Sequence, residues 1–313
     1  VADSTAQIRR EALMFDHFLW SVIVAPVLVS ITVRLLADRL PPGRAARVVA
    51  WSAAATAAAS IANLTLFTLK AVAQLPVVGA LFHWSAGIVY ADTADVAWAP
   101  TLSAVLLATS VIPAVLKARR HRRVLAEARR YSDGTATVLT IPDERPQAFA
   151  VPGRPGRIVV TTGMRAHLDD LQLDAVIAHE RAHLDHNHHR LVAMADIASA
   201  AHPALWWVAR HVGYLVERAA DEQAAQAVGS RRTVAQAIGR AALGAAAAPG
   251  LGLYAAGRGG AVPQRVASLL APPRSATAPW YLVPALLALS SLVWTAEAAY
   301  DLGELLVKAS GAQ

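Results

Sequence analysis

The sequence predicts a mainly α-helical integral membrane protein, with four transmembrane helices and an α+β domain between the third and the fourth. Three observations predict it. Hydrophobic residues make up 55% of the 313 positions and charged residues 16%, with a mean hydropathy of +0.39. Soluble domains average about 25% charged, so this chain has too little polar surface to cover itself. Four apolar runs, 18–33, 48–67, 96–116 and 278–296, reach or approach the ~20 residues that a spanning helix needs. Between the third and fourth lie three β-branched or alternating runs, 135–141, 147–151 and 157–161, set off by Pro142, Pro146, Pro152-Gly153 and Pro155-Gly156.

Taken in order, residues 1–116 form a membrane domain with helices at about 15–36, 47–70 and 96–116. The first run follows Asp16 and His17 rather than a basic cluster, and no small-residue cleavage site follows it, so it reads as a span and not a leader. Residues 117–275 form the domain that carries the polar chemistry, and 276–313 hold the fourth helix and a short tail. That central domain opens with a basic helix, 117–131, and a turn at Ser132-Asp133-Gly134. The three strands follow, then a helix built on 171–178, two helices broken at Pro203 within 191–216, a helix bearing Glu217, and a last helix near 231–243. Residues 244–260 are Ala/Gly-rich and weakly structured on composition.

Basic residues set the orientation. Arg34, Arg39, Arg44 and Arg47 lie between the first two runs, and Lys117, Arg119, Arg120, Arg122, Arg123, Arg129 and Arg130 follow the third. Residues 71–97 contain no Lys or Arg, and the tail after Ala296 has only Lys308. By the positive-inside rule the central domain is cytoplasmic in a multi-pass cell-membrane protein, with both termini outside. The net charge of +7 needs no nucleic-acid partner, because membrane-proximal arginines facing anionic lipid account for it and no reader motif accompanies them. The absence of cysteine excludes thiolate ligands, thiol catalysis and disulfides.

His179-Glu180-Arg181-Ala182-His183 is an HExxH pattern on a predicted helix. Residues four apart share a helix face, so the two imidazoles can hold one Zn2+, with Glu180 beside the attacking water as general base. Two residues compete for the third ligand position. Glu217 sits four before Asp221 on a later helix, where Asp221 would orient a ligating His ring. His189 would instead complete an HExxHxxxxxH spacing, but that pattern wants Gly where this chain has His186, so Glu217 is preferred. His186, His188 and His189 then read as a solvated helix end, or as a helix C-terminal charge cluster that suits the macrodipole.

These features together resemble the BlaR/MecR-type membrane zinc metallopeptidases. The likeness runs through Ala148-Phe149-Ala150, Arg157-Ile158-Val159-Val160-Thr161 and Ala175-Val176-Ile177-Ala178 leading into the motif. It continues through His202-Pro203-Ala204-Leu205-Trp206-Trp207, Glu217-Arg218-Ala219-Ala220-Asp221 and 263–270. HExxH with ExxxD in this topology is its specific part. The resemblance implies a zincin-like domain with His179, His183 and Glu217 on zinc, Glu180 catalytic and Asp221 behind them. It also implies that Gln147, Ala148, Phe149 and Ala150 bind an extended substrate by edge pairing. The implied activity is zinc-dependent endopeptidase action on a cytosolic or membrane-proximal protein, such as a transcriptional repressor in a signalling pathway. Two departures are expected to matter. The tail is too short for the penicillin-binding sensor of that family, and Ala220 stands where the family usually has Cys. The HtpX/Ste24-type quality-control peptidases share HExxH and the later Glu and Asp and are the alternative. Two further readings are a catalytically silent transducer and a metal-responsive protein using His186, His188 and His189.

Overall fold

The computed structural model describes residues 16–36, 40–92, 98–128, 136–153, 155–247, 262–272 and 282–311. Four helices are long and apolar enough to cross a membrane: Asp16–Leu35, Pro42–Ala73, Thr101–Ala128 and Leu282–Ser310. We label α1 the helix Ala25–Leu36, entered through the π-helical turn Leu19–Val24. Then come α2 (Pro42–Ala73), the short α3 (Pro76–Phe82) and α4 (Ala86–Ala91), and α5 (Trp98–Ala128). The expected break between the third span and a basic helix does not occur, because α5 runs through both without interruption and places its arginines on the same rod. Arg39, Arg129, Arg130, the turn at Ser132-Asp133-Gly134 and most of 244–260 lie outside the described residues.

The π-helical turn has a local cause. Pro26 has no N–H to give to the carbonyls of Ser21 or Val22, five and four residues before it. Both carbonyls are satisfied from elsewhere: Ser60 Oγ donates to Ser21 O at 2.6 Å, and His202 Nε2 bonds Val22 O at 2.8 Å. These two bonds tie the turn to α2 and to the segment at His202.

Strands β1 (Val138–Ile141), β2 (Ala148–Val151) and β3 (Arg157–Thr161) form one mixed sheet in the order β1-β3-β2. The first two are shorter than the sequence runs that announce them, and β3 has the expected bounds. β3 is buried along its whole length and pairs parallel with β1 and antiparallel with β2, leaving β2 an outer edge. Thr161 caps the next helix, α6 (Thr162–His167), by accepting from Met164 N. Gly163 is required there, since a Cβ would overlap the Glu144 carbonyl.

The remaining helices are α7 (Asp170–Asp185), α8 (His188–Ala201), α9 (Trp206–Val228), α10 (Arg231–Ala247), α11 (Val262–Leu270) and α12 (Leu282–Ser310). α8 and α9 form a hairpin whose turn, His202 and the 3₁₀ segment Pro203–Leu205, lies along α1. Val29 and Val33 of α1 and Val49 and Ala53 of α2 share one core with Ala198 of α8 and Val212 and Leu215 of α9. Trp206 and Trp207 are about half exposed at the base of the turn, where Arg210 lies over both rings. The break expected at Pro203 is present, and its second helix continues without a stop through Glu217.

Candidate metal centre

α7 begins at a capped turn, with Asp169 accepting from Gln172 N, and buries Leu173, Ala175 and Ala182. That register turns His179 and His183 toward α9, where Glu217 projects between them. His179 Nε2 and His183 Nε2 are 3.1 Å apart, and each is 3.7 Å from a different oxygen of Glu217. Three ligands at tetrahedral positions about 2.05 Å from one zinc would stand about 3.4 Å from each other. The three donors bracket that spacing, so His179, His183 and Glu217 could hold a metal ion. No other such group is found among the described residues. His189 is not part of it.

Each imidazole is held from behind. His179 Nδ1 lies 2.9 Å from Asp221 Oδ1, and His183 Nδ1 lies 3.2 Å from His188 Nδ1. Such partners fix ring orientation, which a metal ligand needs. His188 corrects the expectation of a solvated histidine cluster: it is 3% exposed, while His186 beside it is exposed. The reason is a helix break. Asn187 adopts a left-handed conformation at φ 51°, so α7 ends and His188 starts a new helix aimed back at His183. Five residues from His183 is off the shared helix face, so no periodicity could show it.

Arg265 of α11 is the other residue that the sequence did not announce. Its Nε and Nη2 donate to the two Asp221 oxygens at 2.8 and 2.6 Å, and Nη1 lies 3.0 Å from Glu217 Oε2. Its visible signals were a lone arginine in the otherwise uncharged stretch Val262–Leu270 and the family likeness of 263–270, neither of which assigns it a partner.

Charge is divided sharply here. Burial raises the Glu180 carboxyl, His179 opposes this, Glu217 adds to it, and the net is about 7. For His179, burial favours the neutral ring, but Asp221 and Glu217 outweigh it and hold the ring protonated up to about 10. Burial and the neighbouring His179 cation push His183 down to about 3. Burial works against ionised Glu217, but His179, His183 and Arg265 hold it well below the usual carboxylate range. At pH 8 the metal-free site therefore carries its one ligand proton on His179. Metal binding is expected to release that proton, so affinity rises about tenfold per pH unit until pH nears 10. Calorimetric zinc titrations at pH 8 in buffers of different ionisation enthalpy measure this directly, with about one proton released expected.

Glu180 is half-buried on the same face and accepts a hydrogen bond from the Ala150 amide. This places β2 beside the base. Gln147 bonds β3 through its carbonyl, which accepts from Thr161 N at 3.0 Å. By alternation Phe149 also spends its backbone inside the sheet, while Ala148 and Ala150 face the outer edge. Of the four expected substrate residues, only those two therefore offer edge backbone groups.

No curated protein and no solved structure matches the chain. The family model of Peptidase family M48 matches residues 116–270, which include every residue of this site, and the match supports the M48 metallopeptidase family for the chain.

Proposed function

We propose that the protein is a membrane-embedded zinc endopeptidase that cuts cytosolic or membrane-proximal protein segments. The observation that carries this reading is the convergence of His179, His183 and Glu217, with Glu180 alongside. Bound zinc would supply a Lewis acid and an acidified water. Glu180 then takes the proton of the attacking water and returns it to the leaving amine, a task suited to a group poised near 7. Asp221 and His188 keep the two rings aimed, and Arg265 keeps Asp221 and Glu217 ionised. An extended substrate would pair with the outer edge of β2 through the Ala148 N–H and C=O and the Ala150 C=O, since the Ala150 N–H is held by Glu180.

The site's position supports a membrane-proximal substrate. Two residues after Glu217, Ala219 packs beside Gly43 in the first turn of the second apolar helix, where a Cβ added at Gly43 would lie 3.8 Å from the Ala219 Cβ. The proposal keeps the inward orientation that the basic residues give, and the repressor-cleaving role rests on the BlaR/MecR-type resemblance. A second reading, the HtpX/Ste24-type quality-control peptidase, is favoured by one observation. The helices between the motif and Glu217 pack among the apolar helices and do not stand clear of them.

The test uses the full chain in nanodiscs with an unfolded, membrane-tethered reporter. Fragments should appear, vanish with a zinc chelator and return on adding zinc. A fully zinc-loaded protein that leaves the reporter intact would contradict the peptidase reading and favour a silent transducer.

A further inference from the structure

A cavity of about 240 Å³ lies behind the metal centre, several times the ~30 Å³ share of one water. Its wall includes the start of α2 at Gly43, Arg44 and Arg47, together with His186, His188 and Glu222. Neither Arg44 nor Arg47 meets an anionic partner among the described residues. α2 also starts without a side-chain cap, so the Gly43 and Arg44 amides add partial positive charge at the same rim. The one carboxylate in the wall, Glu222, is taken by Arg231 at 2.6 Å. His188 is 3% exposed, spends Nδ1 on His183 at 3.2 Å, and forms part of the cavity wall.

We propose that this cavity binds a phosphate-bearing anion, with Arg44, Arg47 and the α2 amides on its oxygens and His188 Nε2 at its floor. Helix starts and paired arginines recognise that chemistry. Two sources share it: free phosphate, and the headgroup of an anionic glycerophospholipid. The headgroup is the source the position favours, because the cavity opens where the apolar helix Pro42–Ala73 begins. An occupant would touch the metal centre through His188 and His183. That coupling rests on the metal-site reading; the binding itself does not.

The test is native mass spectrometry of the full chain in detergent, titrated with dioleoyl phosphatidylglycerol or dioleoyl phosphatidylcholine, with inorganic phosphate tested separately by calorimetry. R44Q/R47Q should retain phosphatidylglycerol at least tenfold less well than the parent. R119Q/R120Q, which removes equal charge from exposed positions on α5, should not. R44K/R47K, which keeps the charge and loses the fork, should fall between, and a thermal melt of each variant checks folding. If R44Q/R47Q does not fold, the single variant R47Q should still lose at least threefold. Phosphate binding that needs the same arginines, without lipid selectivity, assigns the site to free phosphate and upholds the anion cavity. Equal losses in the two double-glutamine variants, or no binding of either probe by the parent, overturns it.

Discussion

Glu180→Gln is expected to lower peptide turnover by roughly 10²–10⁴-fold, about 3–5 kcal/mol in the barrier, while metal content stays at the parental level. The change keeps shape and the hydrogen bond from the Ala150 amide but removes the site that accepts the proton. Glu180 is not among the three donors that converge on the metal position, so binding should be spared. Single-turnover cleavage of the tethered reporter, beside elemental analysis of the same preparation, reads both quantities. Equal turnover in parent and variant would remove Glu180 from the mechanism. Signalling that persists in the variant without cleavage would favour the transducer reading.

Arg265→Met is expected to destabilise the metal-free protein by about 3–5 kcal/mol, because it leaves a buried carboxylate without its main partner. Asp221 is 2% exposed at its side chain, and Glu217 and Glu180 lie close by. Without the guanidinium, three carboxylates share one half-buried pocket with only His179 to offset them. A bound divalent cation would supply the missing positive charge. The variant should therefore regain more stability on adding zinc than the parent does, seen as a larger rise in melting temperature. Arg265→Lys restores charge without the bidentate fork and should recover only part of the loss. An unchanged melting temperature in metal-free Arg265→Met would show that the clamp on Asp221 contributes nothing.

Much of this was legible because it obeys a period. HExxH and ExxxD each place two groups on one helix face, and apolar runs announce the four long helices. The bounds of β3 were legible because Ile158, Val159, Val160 and Thr161 form a β-branched run that begins just after Pro155-Gly156. What was hidden depends on contacts between distant segments. His188 reaches His183 only because Asn187 turns left-handed, and Arg265 reaches Asp221 across 44 residues. The backbone roles of Gln147 to Ala150 follow from strand register, which a four-residue run cannot disclose. The M48 match covers the segment that holds the site, whereas the BlaR/MecR-type likeness is carried by the sequence features alone.

The central claim is that His179, His183 and Glu217 hold one metal ion, and the most direct measurement is metal content. The detergent-purified chain and its Glu217→Ala variant would be dialysed against metal-free buffer after zinc-replete expression and analysed for zinc. About one zinc per chain in the parent, largely lost in the variant, is the predicted result. Full retention in the variant, or no zinc in the parent, would contradict it.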